Sequence, residues 1–262
     1  MFQDYKVFRY SGTANLGDAI QSIALSRLLP GNVGSIDRGE GKDSETGGTF
    51  VINGWLGRNA IPAKGSFLFS GVHLAESKNL FWFHRSGFPV GSRDPWTDVR
   101  VKASRLNSEL ILCATLTLER YTGVRRGVYQ VDCVNTGISL PRASVKLSHW
   151  IGLDLSWPDQ WTLGLHLLDL YRSAAVVYTG RLHVALPCLA FGTPVFLTEP
   201  QRLEKSPGEF SRRFGTAEAL GFKFGQINEI DVNSPANVYR KFLEANLNIK
   251  TSSKPLESLP LI

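Results

Sequence analysis

Cysteine is scarce in this 262-residue sequence, which contains only three. Cys113, Cys133 and Cys188 lie in apolar neighbourhoods, and none of them stands in a C-x-x-C spacing. An odd number of isolated cysteines does not indicate a disulfide framework, so buried free thiols are the expected state. This pattern is typical of a reducing compartment, and we expect a cytoplasmic protein.

Long apolar runs are also missing. No window reaches the roughly 18 uninterrupted apolar residues that a membrane span needs. The first residues, MFQDYKVFRY, carry no secretory pattern. We therefore expect no transmembrane segment, while peripheral contact with a membrane surface stays open.

The patterns of metalloproteins and nucleic-acid-binding proteins are absent as well. The five histidines show no H-x-x-x-H spacing, so we expect no metal site. The formal net charge is +6, but the basic residues are scattered along the chain. This distribution disfavours a nucleic-acid partner and leaves small or lipid-linked anions as partners.

Strand-like and helix-like patterns alternate along the chain, as in an open α/β sheet. Runs rich in β-branched and aromatic residues, such as YKVFRY, GTFVING and SFLFSG, are interspersed with helical patterns. The first clear helix covers residues 18–29 and ends at Pro30 and Gly31. A second succession of strand and helix begins near residue 127.

We predict an α/β fold of two Rossmann-like lobes that face a cleft. The first lobe covers residues 1–118 and the second covers 119–236, with a linker near 119–127. The remaining residues, 237–262, are predicted to form a C-terminal helix and tail that pack back on the first lobe.

The stretch TGRLHVALPCLAF places Arg181 and His183 between a buried strand and an apolar helix. Pro187 is expected in the first turn of that helix, so the helix should begin close to His183. The carboxyl end of a strand followed by the amino end of a helix is where open α/β sheets bind anions. The opposing interpretation is that Arg181 pairs with a carboxylate and His183 only caps the helix.

Two other segments have the same strand-to-helix character. YSGTANLGDAIQ carries Asn15, Gly17 and Asp18, which are also ordinary turn residues. PVGSRDPWT carries Arg93 before a helix opened by Pro95. For Arg93, local pairing with Asp94 or Asp98 is the simpler interpretation.

Taken in order, these segments resemble the polysaccharide pyruvyl transferase family. The resemblance covers roughly residues 5–225. It rests on NLGDAIQSIAL (15–25), INGW (52–55), VGSRDPWT (90–97), CATLTL (113–118) and TGRLHVALPCLAFGTPVF (179–196). Members usually carry Ser where this chain has Gly180. The pattern is most similar to short members of the family, which have a compact glycosyltransferase-B-like fold with two lobes.

The resemblance implies that the pyruvyl group of phosphoenolpyruvate is transferred to two hydroxyls of a glycan or its lipid-linked precursor. The products are a ketal and phosphate, in extracellular or capsular polysaccharide biosynthesis. No cofactor is implied, because phosphoenolpyruvate is the donor substrate.

The same resemblance assigns the candidate site residues. The Arg-Leu-His motif of the family maps onto Arg181, Leu182 and His183, and Thr179 and Gly180 precede it. We expect Arg181 and His183 to be catalytic, with His183 as either acid or base. Arg93, from the segment PVGSRDPWT, is the second-choice anion contact. The acceptor hydroxyls are assigned to Asn15, Gly17 and Asp18.

Two other functions stay open. A glycosyltransferase of the same architecture would bind a nucleotide sugar, with Glu199 or Glu204 holding a ribose. A catalytically silent glycan-binding protein would keep the fold without the chemistry.

Overall fold

The structure is a computed structural model. It describes residues 4–10, 12–38, 48–56, 65–75, 77–133, 140–198 and 215–262. Within these residues no helix is long and apolar enough to span a membrane.

The amino-terminal part forms a six-stranded sheet in which every pair of neighbouring strands is parallel. Its strands are β1 (Tyr5–Arg9), β2 (Val33–Asp37), β3 (Thr49–Leu56), β4 (Ser66–Leu74), β5 (Val90–Ser92) and β6 (Ser108–Leu110), in the order β2-β1-β3-β4-β5-β6. The central strands β3 and β4 are buried almost throughout, as expected of a parallel sheet covered on both faces.

The carboxyl-terminal part forms a five-stranded sheet. Its strands are β7 (Val128–Val131), β8 (Val145–Leu147), β9 (Val176–Thr179), β10 (Val195–Leu197) and β11 (Ile227–Asn228), in the order β11-β10-β9-β7-β8. All neighbours are parallel except β10 and β11. The chain therefore has an α/β fold with a six-stranded parallel sheet, a smaller second sheet and helices, compatible with a Rossmann-like fold.

The helices are α1 (Leu16–Ser26), α2 (Pro95–Ala103), α3 (Trp157–Ser173), α4 (Leu182–Phe191) and α5 (Asn233–Leu247). Residues 215–219 are also helical. Three 3₁₀ helices cover Ser77–Arg85, Ala114–Thr117 and Leu256–Ser258.

Helix α1 joins the two sheets. It packs on β1 and β3 of the first sheet and on α3 and α4 of the second part. A Cβ added to Gly164 of α3 would lie 2.8 Å from Cδ1 of Ile23, so glycine permits this close helix contact. The buried apolar residues of both parts form one continuous core.

Helix α4 begins at Leu182, close to His183 as predicted, and ends at Gly192 in the left-handed conformation, with φ of 70°. The predicted place of Pro187 was wrong, because it is the sixth helical residue and lies inside α4. Its ring removes one helical hydrogen bond without ending the helix.

Helix α5 packs on the first sheet. The Tyr239 hydroxyl lies 2.7 Å from the Ser70 hydroxyl of β4 and donates to the carbonyl of the same residue at 3.1 Å. A Cβ on Gly91 of β5 would lie 2.9 Å from the ring of Phe242. The chain thus returns from the second sheet to cover the first.

Candidate functional site

The amino ends of α1 and α4 meet where the carboxyl edges of the two sheets face each other. A Cβ added to Gly17 would lie 3.1 Å from both Cβ and Nδ1 of His183. Asn15 caps α1, and its side-chain oxygen accepts from the Gly17 amide at 3.2 Å. The two predicted substrate-facing loops are therefore neighbours, and glycine at position 17 leaves room for the histidine.

The imidazole of His183 lies between Arg93 and Gln21. Its Nε2 is 3.4 Å from Nη1 of Arg93, and its Nδ1 is 3.5 Å from Nε2 of Gln21. Burial lowers the pKa of His183 well below its ordinary value, and the charge of Arg93 lowers it further. His183 is therefore neutral at pH 7.

Arg93 is a buried cation without an ion pair among the described residues. Its side chain donates from Nη1 to Oε1 of Gln21 at 3.3 Å, and its Nε has no hydrogen-bond partner in the described part of the chain. The predicted pairing with Asp94 or Asp98 was wrong. Asp94 instead caps α2 and accepts from His73, and Asp98 pairs with a lysine one turn later.

The surroundings of His183 combine a buried guanidinium with hydrogen-bonding side chains. Arg93 donates to the Gln21 oxygen, so the amide nitrogen of Gln21 faces the imidazole. A neutral imidazole accepts at only one nitrogen, yet nitrogen donors face both of them. The amide nitrogen of Gln21 also reaches the Gly17 carbonyl and Asp18, so Nε of Arg93 is the donor left without a partner in the described part of the chain. The guanidinium charge favours an anion at this point.

Asp18 is a carboxylate close to His183. Burial raises its pKa, against the opposing charges of Arg38, Arg93 and Arg181. Gln21 connects it to His183, since the same amide nitrogen lies 3.4 Å from Oδ1 of Asp18. The three guanidinium groups outnumber the two carboxylates near them, Asp18 and the Asp132 that pairs with Arg181, so this group of side chains is cationic.

Arg181 approaches the same place from the second sheet. Its Nε donates to Oδ2 of Asp132 at 2.9 Å, and its guanidinium carbon lies 4.2 Å from the centre of the Trp150 ring. Its side chain is 24% exposed, and Nη1 and Nη2 have no partner among the described residues. The ion pair thus uses one edge of the guanidinium and leaves its terminal nitrogens open.

Asp132 is a residue of the candidate site that the sequence reasoning missed. It follows β7 with a φ of 48°, unusual for a residue with a side chain. Besides Arg181, its carboxylate accepts from the Ser148 hydroxyl at 2.7 Å and the His149 amide at 3.1 Å. Its position directly after the strand pattern VYQV was the available signal.

The other residues of the Arg-Leu-His region hold the backbone and pack against the core next to the site. The Thr179 hydroxyl accepts from the Arg181 amide at 2.9 Å, and Leu182 packs against the core. A Cβ on Gly180 would lie 3.2 Å from the Thr198 hydroxyl and 3.4 Å from the Asp132 carbonyl. A larger residue at position 180 would therefore be crowded by the residues that follow β7 and β10.

Two further histidines surround the site. Nδ1 of His73 lies 2.7 Å from Oδ2 of Asp94, and both side chains are buried. His149 is fully buried with Nε2 2.8 Å from the Tyr171 hydroxyl. Burial lowers its pKa to about 3. His149 is therefore a neutral packing residue, for which sequence gave no role.

Among the described residues, the cysteines and the other metal-binding residue types form no second candidate site. Cys113 and Cys188 are buried and Cys133 is partly buried, all as free thiols, as the sequence predicted. Burial raises the pKa of each thiol. Within the described residues, no group of three or more His, Cys, Asp or Glu side chains is arranged to hold a metal ion.

Comparison with known proteins adds information on the fold. The chain matches no family model and no curated protein. Among solved structures, an uncharacterized protein from Klebsiella pneumoniae subsp. pneumoniae NTUH-K2044 is similar, with a TM-score of 0.50 and 16% identity over 83% of this chain and 89% of that chain. At this identity the likeness concerns the α/β fold alone.

Proposed function

We propose that this chain is a pyruvyl transferase that moves the pyruvyl group of phosphoenolpyruvate onto two hydroxyls of a glycan or its lipid-linked precursor. In this proposal the two sheets are the cores of two Rossmann-like lobes in a compact glycosyltransferase-B-like arrangement. The first lobe faces the acceptor and the second faces the donor, in a cytoplasmic enzyme.

The observation that carries the proposal is the positive charge around His183, together with guanidinium nitrogens that have no partner among the described residues. Phosphoenolpyruvate carries a phosphate and a carboxylate, so it needs two anion contacts close together. Arg93 supplies a buried guanidinium with an unpartnered Nε. Arg181 supplies two open terminal nitrogens and the amino end of α4.

The reaction balances without a cofactor. The methylene carbon of phosphoenolpyruvate gains a proton and becomes a methyl group, and positive charge develops at the neighbouring carbon. That carbon forms bonds to two sugar oxygens, and its bond to the phosphate oxygen breaks. Of the two hydroxyl protons, one replaces the proton given to the methyl carbon and the other leaves with phosphate.

His183 is the candidate for the proton transfer. Its pKa is low in the free protein because it is buried and because Arg93 and Arg181 are near. A bound anion would offset those two charges and shift the pKa of His183 upward, which is the direction that a general acid needs. The donor would thereby prepare its own general acid.

The acceptor side is formed by α1. Asp18 and Asn15 lie across from His183 on a helix end that faces the same space. Carboxylate and amide oxygens accept hydrogen bonds from sugar hydroxyls. We therefore assign Asn15 and Asp18 to the acceptor and the arginines to the donor.

The experiment is incubation with phosphoenolpyruvate and a panel of synthetic or lipid-linked glycosides, with phosphate release and mass gain of the sugar as readouts. Arg93→Ala should abolish phosphate release, and exposed Arg142→Ala is the matched control. Sugar transfer from a nucleotide sugar would instead support the glycosyltransferase alternative, whose Glu199 and Glu204 lie outside the described residues. Glycan binding with no turnover of either donor would support the silent glycan-binding protein.

A further inference from the structure

Trp150 occupies an unusual place beside the candidate site. It lies in the segment between β8 and α3, which pairs with the loop before α1 through an isolated antiparallel bridge of Trp150 with Asn15. The Leu16 amide donates to the His149 carbonyl at 3.0 Å, and the Ile151 amide donates to the Ala14 carbonyl at 3.2 Å. These hydrogen bonds hold the backbone around Trp150 against the loop before α1.

The side chain of Trp150 is nevertheless 62% exposed. The Arg181 guanidinium covers one face of the indole, 4.2 Å from the ring centre. With that face covered, the opposite face must contribute much of the exposed area. An indole with one open face beside a cluster of polar and charged side chains offers apolar area that a ligand can cover.

Two other tryptophans, in the INGW and VGSRDPWT segments, are placed differently. Trp96 is only partly exposed and lies between His73 and Arg100. Trp55 is 42% exposed with Arg38 over its ring at 5.7 Å. Trp150 contacts both Arg181 and the Asn15 loop.

We infer that Trp150 is the platform on which a pyranose ring of the acceptor stacks. This inference rests on the proposed function. The C–H groups on one face of a pyranose ring match the open apolar face of an indole. A ring stacked there has Arg181 behind the indole and the polar groups of Asn15 and Asp18 beside it.

The guanidinium strengthens the platform. Arg181 is held by Asp132 on its Nε edge, so it stays over the indole while its terminal nitrogens remain open. The sugar takes the open face of the indole, and its two reacting hydroxyls reach past the ring edge to the donor held by the terminal nitrogens of Arg181. Loss of the indole should weaken sugar binding far more than donor binding.

The test measures glycoside binding without any donor, by calorimetry with a panel of methyl hexopyranosides. The variants are Trp150→Ala and Trp150→Phe, and Phe81→Ala, which removes another aromatic ring that is 52% exposed, is the matched control. We expect Trp150→Ala to weaken glycoside binding about tenfold, Trp150→Phe to weaken it less, and Phe81→Ala to leave it unchanged. The Kd for phosphoenolpyruvate should change less than about threefold in all three variants.

Three results would overturn the inference. The first is wild-type glycoside affinity in Trp150→Ala, or no glycoside binding by the wild type at all. The second is an equal loss of glycoside and phosphoenolpyruvate affinity, which would show that Trp150 only holds Arg181. The third is Trp150-dependent binding of a nucleotide but of no glycoside. Because these assays contain no turnover, failure of pyruvyl transfer would appear separately, as absent phosphate release.

Discussion

Replacement of Arg181 by lysine separates the charge of this side chain from its shape. In the structure Nε of Arg181 donates to Asp132 at 2.9 Å, and the terminal nitrogens are open. A lysine has one terminal nitrogen, so it can pair with Asp132 or contact the donor but cannot match both geometries. We therefore expect Arg181→Lys to fold normally and to bind phosphoenolpyruvate almost as poorly as Arg181→Ala.

The magnitudes follow from the contacts. The Lys variant keeps a partner for Asp132 in a partly exposed pair, so its free energy of unfolding should fall by about 0–1 kcal/mol. The Ala variant leaves a carboxylate that is only 9% exposed with one ion pair fewer, which costs about 1–3 kcal/mol. For the donor, each lost charge-assisted hydrogen bond costs about 1.5–3 kcal/mol, or about 10- to 100-fold in Kd.

The assay is titration calorimetry with phosphoenolpyruvate for the wild type and both variants, with urea unfolding of the same preparations. We expect the Lys and Ala variants to differ in their free energies of unfolding but to bind phosphoenolpyruvate about equally poorly. A Lys variant that binds phosphoenolpyruvate like the wild type would refute the bidentate role of Arg181. If both variants unfold with equally large losses of stability, Arg181 is a structural partner of Asp132.

Three further changes test other parts of the site. His183→Ala should reduce turnover about 100-fold or more while the Kd for phosphoenolpyruvate stays close to wild type; equal losses in calorimetry and in phosphate release would make His183 an anion ligand instead. Gly17→Ala places a Cβ 3.1 Å from the His183 ring. Because a small displacement of a catalytic side chain slows the reaction strongly, turnover should fall at least about tenfold. An unchanged rate would show that the histidine can move freely. The pKa of His149 falls from 6.5 in the unfolded chain to about 3 in the folded protein. Its contribution to stability is therefore complete above pH 6.5 and is lost as the pH falls towards 3, at up to about 1.4 kcal/mol per pH unit. In urea unfolding at pH 7, 6 and 5, the free energy of unfolding should decline less steeply for His149→Gln than for the wild type, and parallel curves would contradict this assignment.

The elements around the site were largely predictable because their signals are local. The apolar pattern before Thr179 and the glycine and proline after Phe191 bound β9 and α4, and Pro95 marked the start of α2. In contrast, β2 was not predicted, because its sequence VGSID is short and mixes apolar and polar residues. Its register comes from pairing with β1 along all five residues, which a single sequence does not display.

The contacts inside the site were less predictable because they join distant parts of the chain. Gln21 resembles any polar helix residue in the sequence, yet it contacts His183, 162 positions away. Arg93 has two acidic residues near it in sequence, so local pairing was the natural interpretation. The carboxylate of Asp94 is instead taken by His73 and by the first turn of α2, which leaves Arg93 for the site.

In the proposed transferase, the backbone bridge between Asn15 and Trp150 would limit how ligands are exchanged. It places hydrogen bonds between the loop before α1 and the segment between β8 and α3, beside the candidate site, where a clamshell motion would have to begin. Swinging the sheets apart would break those bonds and expose their amides and carbonyls. Entry of a ligand should therefore depend on side-chain rearrangement at a fixed opening, and affinity should reflect a preformed site with little entropy spent on closure.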